Sequence, residues 1–72
     1  MENVDKLRVL LQHWIEHNEG HGEEFAKWQK LMTEDSRKGI AGAIGEAIEQ
    51  MGKVNDQLAK ALDEAGGPVE KA

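Results

Sequence analysis

The chain has no cysteine, no tyrosine, one proline and only three aromatic residues, Trp14, Phe25 and Trp28, all in its first half. Without cysteine there is no disulfide to constrain the unfolded state and no thiolate cage for a metal. The longest unbroken apolar run is Val9-Leu10-Leu11, far short of the roughly 20 residues that span a bilayer. The charged start Met1-Glu2-Asn3 lacks the apolar core of a signal peptide. Nine Lys and Arg stand against fourteen Asp and Glu, a net charge of -5 with no basic run, the wrong sign for gripping a phosphate backbone. A cytoplasmic protein that binds neither nucleic acid nor membrane is expected. With 72 residues, a single domain buries only about 60% of its unfolded surface and usually needs a staple. Self-association is the expected source of the missing core.

What the chain does have is periodicity. Val4, Leu7, Leu11, Trp14, Asn18, His21, Phe25, Trp28 and Met32 follow one another at spacings of three and four, and so do Ala41, Ile44, Ile48, Met51, Asn55, Leu58, Leu62 and Ala65. Both are heptad seams of the kind that seal packed helices. Thr33-Glu34-Asp35-Ser36 is the turn-prone cluster between them, and Gly66-Gly67-Pro68 is a stop signal. The expected fold is all-α: an antiparallel, coiled-coil-like two-helix hairpin that dimerises into a four-helix bundle. Residues 1–65 form the single αα-hairpin domain, with helix 1 over about 4–33, a turn at about 34–35, helix 2 over about 36–65, and a flexible tail at 66–72. Asn3 is the expected N-cap of helix 1, and Ser36 or Asp35 that of helix 2.

A fold-back at 34/35 pairs residues whose numbers sum to about 69, setting Trp14 against Asn55 and Trp28 against Ala41. Helix 2 is apolar over a wider arc than one neighbour requires, with Ile40, Ala47, Val54 and Ala61 on one flank and Gly45, Gly52 and Ala59 on the other. Glycine costs roughly 1 kcal/mol against alanine inside a helix, so a closely approaching backbone, that of a second copy, is expected at the glycines.

The chemistry-bearing segment is His13-Trp14-Ile15-Glu16-His17-Asn18-Glu19-Gly20-His21. Residues four apart share a helix face, so His17 and His21 can turn imidazoles toward one ion, with Glu24 one turn beyond and His13 more peripheral. His17, His21, Glu24 and His13 are therefore the candidate ligands, and Zn²⁺, Ni²⁺ or Co²⁺ the ions that suit nitrogen donors. A histidine inside a seam also serves as a hydrogen-bonded register residue, as do Asn18 and Asn55. The segment matches H-x-x-E-H, yet a short hairpin has no substrate cleft for protease chemistry. Helix 2 places Glu46, Glu49, Asp56 and Asp63 outside its apolar arc, so a di-iron carboxylate centre lacks ligands. There is no Gly-rich phosphate loop, and no serine beside a histidine. No enzyme activity is expected.

Leu10-Leu11-Gln12-His13-Trp14-Ile15-Glu16-His17-Asn18, followed by His21, Glu24, Phe25 and Trp28 and by Asn55 and Leu58, resembles a small uncharacterised helical family of bacteria and archaea with a His-Trp-Ile-Glu-His-Asn signature. The resemblance covers most of residues 7 to 65. It implies members found alone or attached to proteins that handle cobalt or nickel. Gly20 and Gly22 depart from the pattern and raise the question of whether helix 1 runs unbroken. Two functions follow: a transition-metal-binding or metal-homeostasis accessory protein, or a non-catalytic oligomerisation or protein-interaction module whose His and Asn residues form a structural network.

Overall fold

A computed structural model describes residues 2–69. Helix α1 spans Asn3–Glu34 and helix α2 spans Lys38–Glu64, and the two pack against each other along their length. No strand occurs among the described residues. Helix α1 continues unbroken through Gly20 and Gly22. Each glycine weakens a helix by about 1 kcal/mol, but thirty-two residues of intrahelical bonding and contact with α2 hold the segment together.

The turn differs from expectation. Ser36, expected to cap α2, stands at φ 60° as the left-handed residue after α1. Its N–H donates to the Thr33 carbonyl at 3.1 Å and that of Arg37 to the Met32 carbonyl at 2.8 Å, the paired bonds of a Schellman ending. The connection is therefore Asp35–Arg37 and α2 starts two residues late. The caps fall elsewhere too: Glu2 precedes α1, Arg37 precedes α2, and neither offers a side-chain cap bond, while Asn3 is already helical. Helix α2 ends as its glycines predict, with Gly66 at φ 114° and the Gly66 and Gly67 N–H groups bonded to the carbonyls of Asp63 and Leu62.

Moving the turn moves the register. Asn55 meets Asn18, not Trp14: the Asn18 amide donates to Asn55 Oδ1 at 2.9 Å and the Asn55 amide to the Ile15 carbonyl at 3.5 Å. Paired numbers therefore sum to about 73, set by the three-residue connection. On α2 the seam stands as read, with Ala41 and Leu62 buried and Ile44, Ile48, Met51, Asn55, Leu58 and Ala65 half-buried. On α1 it is rotated by roughly half a residue step, about 50°. Leu11 is 2% exposed and Asn18, Phe25 and Met32 are half-buried, but their companions are Arg8, Ile15, Gly22 and Gln29. Val4, Leu7, Trp14, His21 and Trp28 lie on the surface. The expected Trp28–Ala41 pairing is likewise replaced, for Gln29 donates to the Ala41 carbonyl at 3.3 Å. Gly22 and the unbranched Gln29 allow the helices close approach on the inner flank, and the bulkier indoles take the open one.

Gly45 is explained within one chain. A Cβ there would stand 2.6 Å from Gln29 Nε2, whereas at Gly52 it would meet nothing within 4 Å. The segment after α2, expected to be a free tail, is tied to α1 as far as Val69. Arg8 donates to the carbonyls of Gly67 at 2.8 Å and Pro68 at 3.2 Å, and the Gln12 amide both donates to the Val69 carbonyl and accepts its N–H. The remainder of that expected tail, 70–72, lies outside the described residues.

Candidate functional site

The contact between Gln29 and Gly45 identifies the two sides of the hairpin. The Arg8, Ile15, Gly22, Gln29 flank of α1 adjoins the Gly45 flank of α2. The opposite flanks, Leu7, Trp14, His21 and Trp28 on α1 and Ile40, Ala47, Val54 and Ala61 on α2, therefore share the other side. That side is apolar and uncovered: Trp14 is 40% exposed and Trp28 49%, with Leu10, Leu31, Ile40 and Val54 also exposed. Periodicity alone places both tryptophans inside the hairpin. The signal available to correct it was size, since one facing helix cannot enclose two indoles.

The chain exposes 5543 Å², against roughly 4,500 Å² for a compact protein of its mass. Its radius of gyration is 15.7 Å with extents of 51 × 22 × 13 Å, where a compact chain of this length has about 11 Å. Only Leu11, Ala41 and Leu62 are buried among the described residues. The hairpin is one helix layer thick, so each helix has a face with nothing against it.

The histidines are spaced four apart on an unbroken helix, from His21 in the open flank to His13 farther from α2, so that their rings form a column. His13 stacks on His17 with ring centres 5.8 Å apart, His17 meets His21 edge to face at 4.5 Å, and His21 stacks on Phe25 at 6.1 Å. His17 Nε2 and His21 Nε2 approach to 3.0 Å. The pair forms a hydrogen bond when one nitrogen carries a proton and the other a lone pair. The same spacing suits chelation, because two nitrogens each 2.0–2.1 Å from a metal stand roughly 2.9–3.4 Å apart at angles of 90–109°.

Of the four candidate ligands, the structure brings together His17 and His21. Glu24 lies one turn on, where its carboxylate accepts the Trp28 indole N–H at 3.2 Å. His13 meets His17 ring to ring. Among the described residues no three His, Cys, Asp or Glu side chains form a group that could hold a metal ion. Within one chain the two imidazoles stand side by side without a third such group beside them among the described residues. The asparagines are turned inward instead, toward each other. Among the described residues no helix is long and apolar enough to cross a membrane.

A family model described as a domain of unknown function (DUF8180) matches residues 7–65, nearly the whole hairpin and every residue of the histidine column. An "Uncharacterized protein" from Archaeoglobus fulgidus is 36% identical over 63 residues, 88% of this chain and 100% of that protein. No solved structure matches the chain. A match that takes in both helices and a relative that aligns over its full length lead to one conclusion: the chain belongs to the DUF8180 family.

Proposed function

We propose that this protein is a cytoplasmic, non-catalytic homodimer, a four-helix bundle of two hairpins, that binds a transition-metal ion through its histidine column and serves metal homeostasis as an accessory protein. The observation that carries the reading is the 3.0 Å approach of His17 Nε2 to His21 Nε2 on an uncovered apolar face. Two neutral imidazoles presenting nitrogens side by side suit Zn²⁺, Ni²⁺ or Co²⁺. The apolar surroundings favour a second protein layer over bulk water.

Pairing two copies through the Trp14 and Trp28 side supports the assembly on area alone. The excess surface of about 1,000 Å² per chain is close to the roughly 800 Å² that each partner contributes to a standard interface. The charge of that side supports it too, since between Leu7 and Leu31 the α1 stripe carries Glu24 as its one formally charged residue and it engages Trp28.

A second reading is favoured by a different observation, the Asn18–Asn55 bond at 2.9 Å between the helices. In that reading the protein is an oligomerisation or protein-interaction module whose amides and imidazoles set register and hold no metal. One pair of measurements separates the two: the mass in solution of tag-free protein and its content of zinc, nickel and cobalt. A dimer with stoichiometric metal supports the first, a metal-free dimer the second. A stable monomer at micromolar concentration would sink the assembly in both.

A further inference from the structure

The uncovered stripe of α1 has a chemical palindrome centred on Glu19. Leu7 and Leu31 lie at its ends, Leu10 and Trp28 come next inward, and His17 and His21 flank the centre. The helix runs Asn3–Glu34, so this point is also its midpoint to within a residue. A second copy of α1 laid antiparallel across the first, with the two-fold axis at this point, sets leucine on leucine at both ends. It also sets Trp14 against Glu24 of the second copy, whose carboxylate already takes the Trp28 indole N–H and has acceptor capacity for another. The same operation brings all four imidazoles of His17 and His21 together at the axis.

We infer that the metal site is completed by the second copy: one divalent transition ion sits on the two-fold axis, held by His17 and His21 of both chains. This rests on the dimer of the proposed function and adds where the ion sits, its donors and its stoichiometry. Each chain supplies a pair of nitrogens already at chelating separation, and no third donor gathers beside them among the described residues. The two-fold axis supplies the second pair. Four imidazoles and no carboxylate select zinc, cobalt, nickel or copper over magnesium and calcium, which require oxygen. Glu24 and His13 lie outside the set, the first engaged by Trp28 and the second a further turn from the centre. Because the site exists only in the dimer, metal and assembly are linked, and each tightens the other by the same factor.

The test is calorimetric titration of the tag-free full chain with Zn²⁺ and with Co²⁺, alongside sedimentation at several protein concentrations with and without metal. One ion per two chains is expected, with the dimer dissociation constant lowered at least tenfold by metal. His17→Ala and His21→Ala should each weaken binding by on the order of 100-fold or more, while His13→Ala and Glu24→Gln change it less than about threefold. Trp14→Glu should yield a chain that neither dimerises nor binds metal tightly. Circular dichroism of each variant separates a lost ligand from a lost helix. One ion per chain, or full affinity in a monomeric Trp14→Glu protein, overturns the shared site and leaves metal binding in place. A dimer that binds no ion tighter than about millimolar, too weak for a dedicated site, overturns the shared site and the metal-binding reading together. A protein monomeric in every condition overturns the assembly itself.

Discussion

Two flanks border the central row of Leu11, Asn18, Phe25 and Met32 on α1. Arg8, Ile15, Gly22 and Gln29 line one and are half-buried against α2 and the segment that follows it; Leu7, Trp14, His21 and Trp28 line the other and are exposed. The flank that faces inward is the smaller and more polar of the two. In a finished globular domain the order would be reversed, with indoles inside and glutamine and arginine outside. The inversion shows that the intrahairpin contact selects for close approach and specific bonds, while most of the large apolar side chains of α1 lie outside that contact. It also accounts for the position of the histidines, which lie on the flank left open.

The largest contrast is expected between the middle row and the open flank. Leu11 is 2% exposed whereas its neighbour Leu10 is 45% exposed. Leu11→Ala should cost about 2–4 kcal/mol of unfolding free energy in urea or thermal denaturation. Leu10→Ala should leave the stability of the single hairpin nearly unchanged, its effect showing only in self-association. Equal losses would mean that the two positions share one environment.

A slightly smaller effect is expected on the open flank. Trp28→Ala should weaken dimerisation by about 2 kcal/mol, the usual cost of truncating an interface tryptophan, which is roughly thirtyfold in dissociation constant. Far-UV circular dichroism should stay helical. A change in helical stability with no change in mass would assign Trp28 to the hairpin after all.

The polar inner contact is sharpened by a double-substitution cycle. Asn55→Leu removes the acceptor of the Asn18 amide, and a part-buried amide left alone costs about 1 kcal/mol. Asn18→Leu combined with Asn55→Leu should recover that stability and broaden the distribution of oligomers, because the pair then no longer penalises shifted registers. Additive losses in denaturation would show that the two amides act independently.

The smallest effect concerns glycine. Gly52→Ala should raise stability by up to about 1 kcal/mol, since a Cβ there meets nothing and helix propensity improves. Gly45→Ala should be nearly neutral, because the same gain is offset when the Gln29 amide is displaced from its bond to the Ala41 carbonyl. Thermal melts of the two variants decide this, and a loss at Gly52 would reveal a further chain packed there.

Helix α2 was legible in the sequence down to its seam, because its apolar residues are medium-sized and any of them fits a helix–helix contact. Helix α1 misled for a physical reason. Its largest apolar side chains define the strongest periodicity, and periodicity carries no measure of how much room the opposing surface offers. The turn misled through Ser36, a residue type that caps helix starts yet here takes the left-handed position after α1. With that shift the partner of Asn55 changed from Trp14 to Asn18, and the caps and the inner flank changed with it. The histidine row was readable as a row, since spacing of four fixes a shared face. The engagement of Glu24 by Trp28 was not, because an indole expected in the interior was not a candidate donor at the surface.

Residue spacing and composition already dictate two long helices, their fold-back on each other, the end of the second at Gly66, and the shared face of His17 and His21. Each of these follows from local spacing and backbone preference, which act over a few residues. The register near 73, the rotation of α1, the docking of Gly67–Val69 on Arg8 and Gln12, and which flank stays open are settled by packing between the helices. Those depend on the volume between two particular helix surfaces and on bonds between residues thirty or more positions apart, and no periodicity along one chain encodes either.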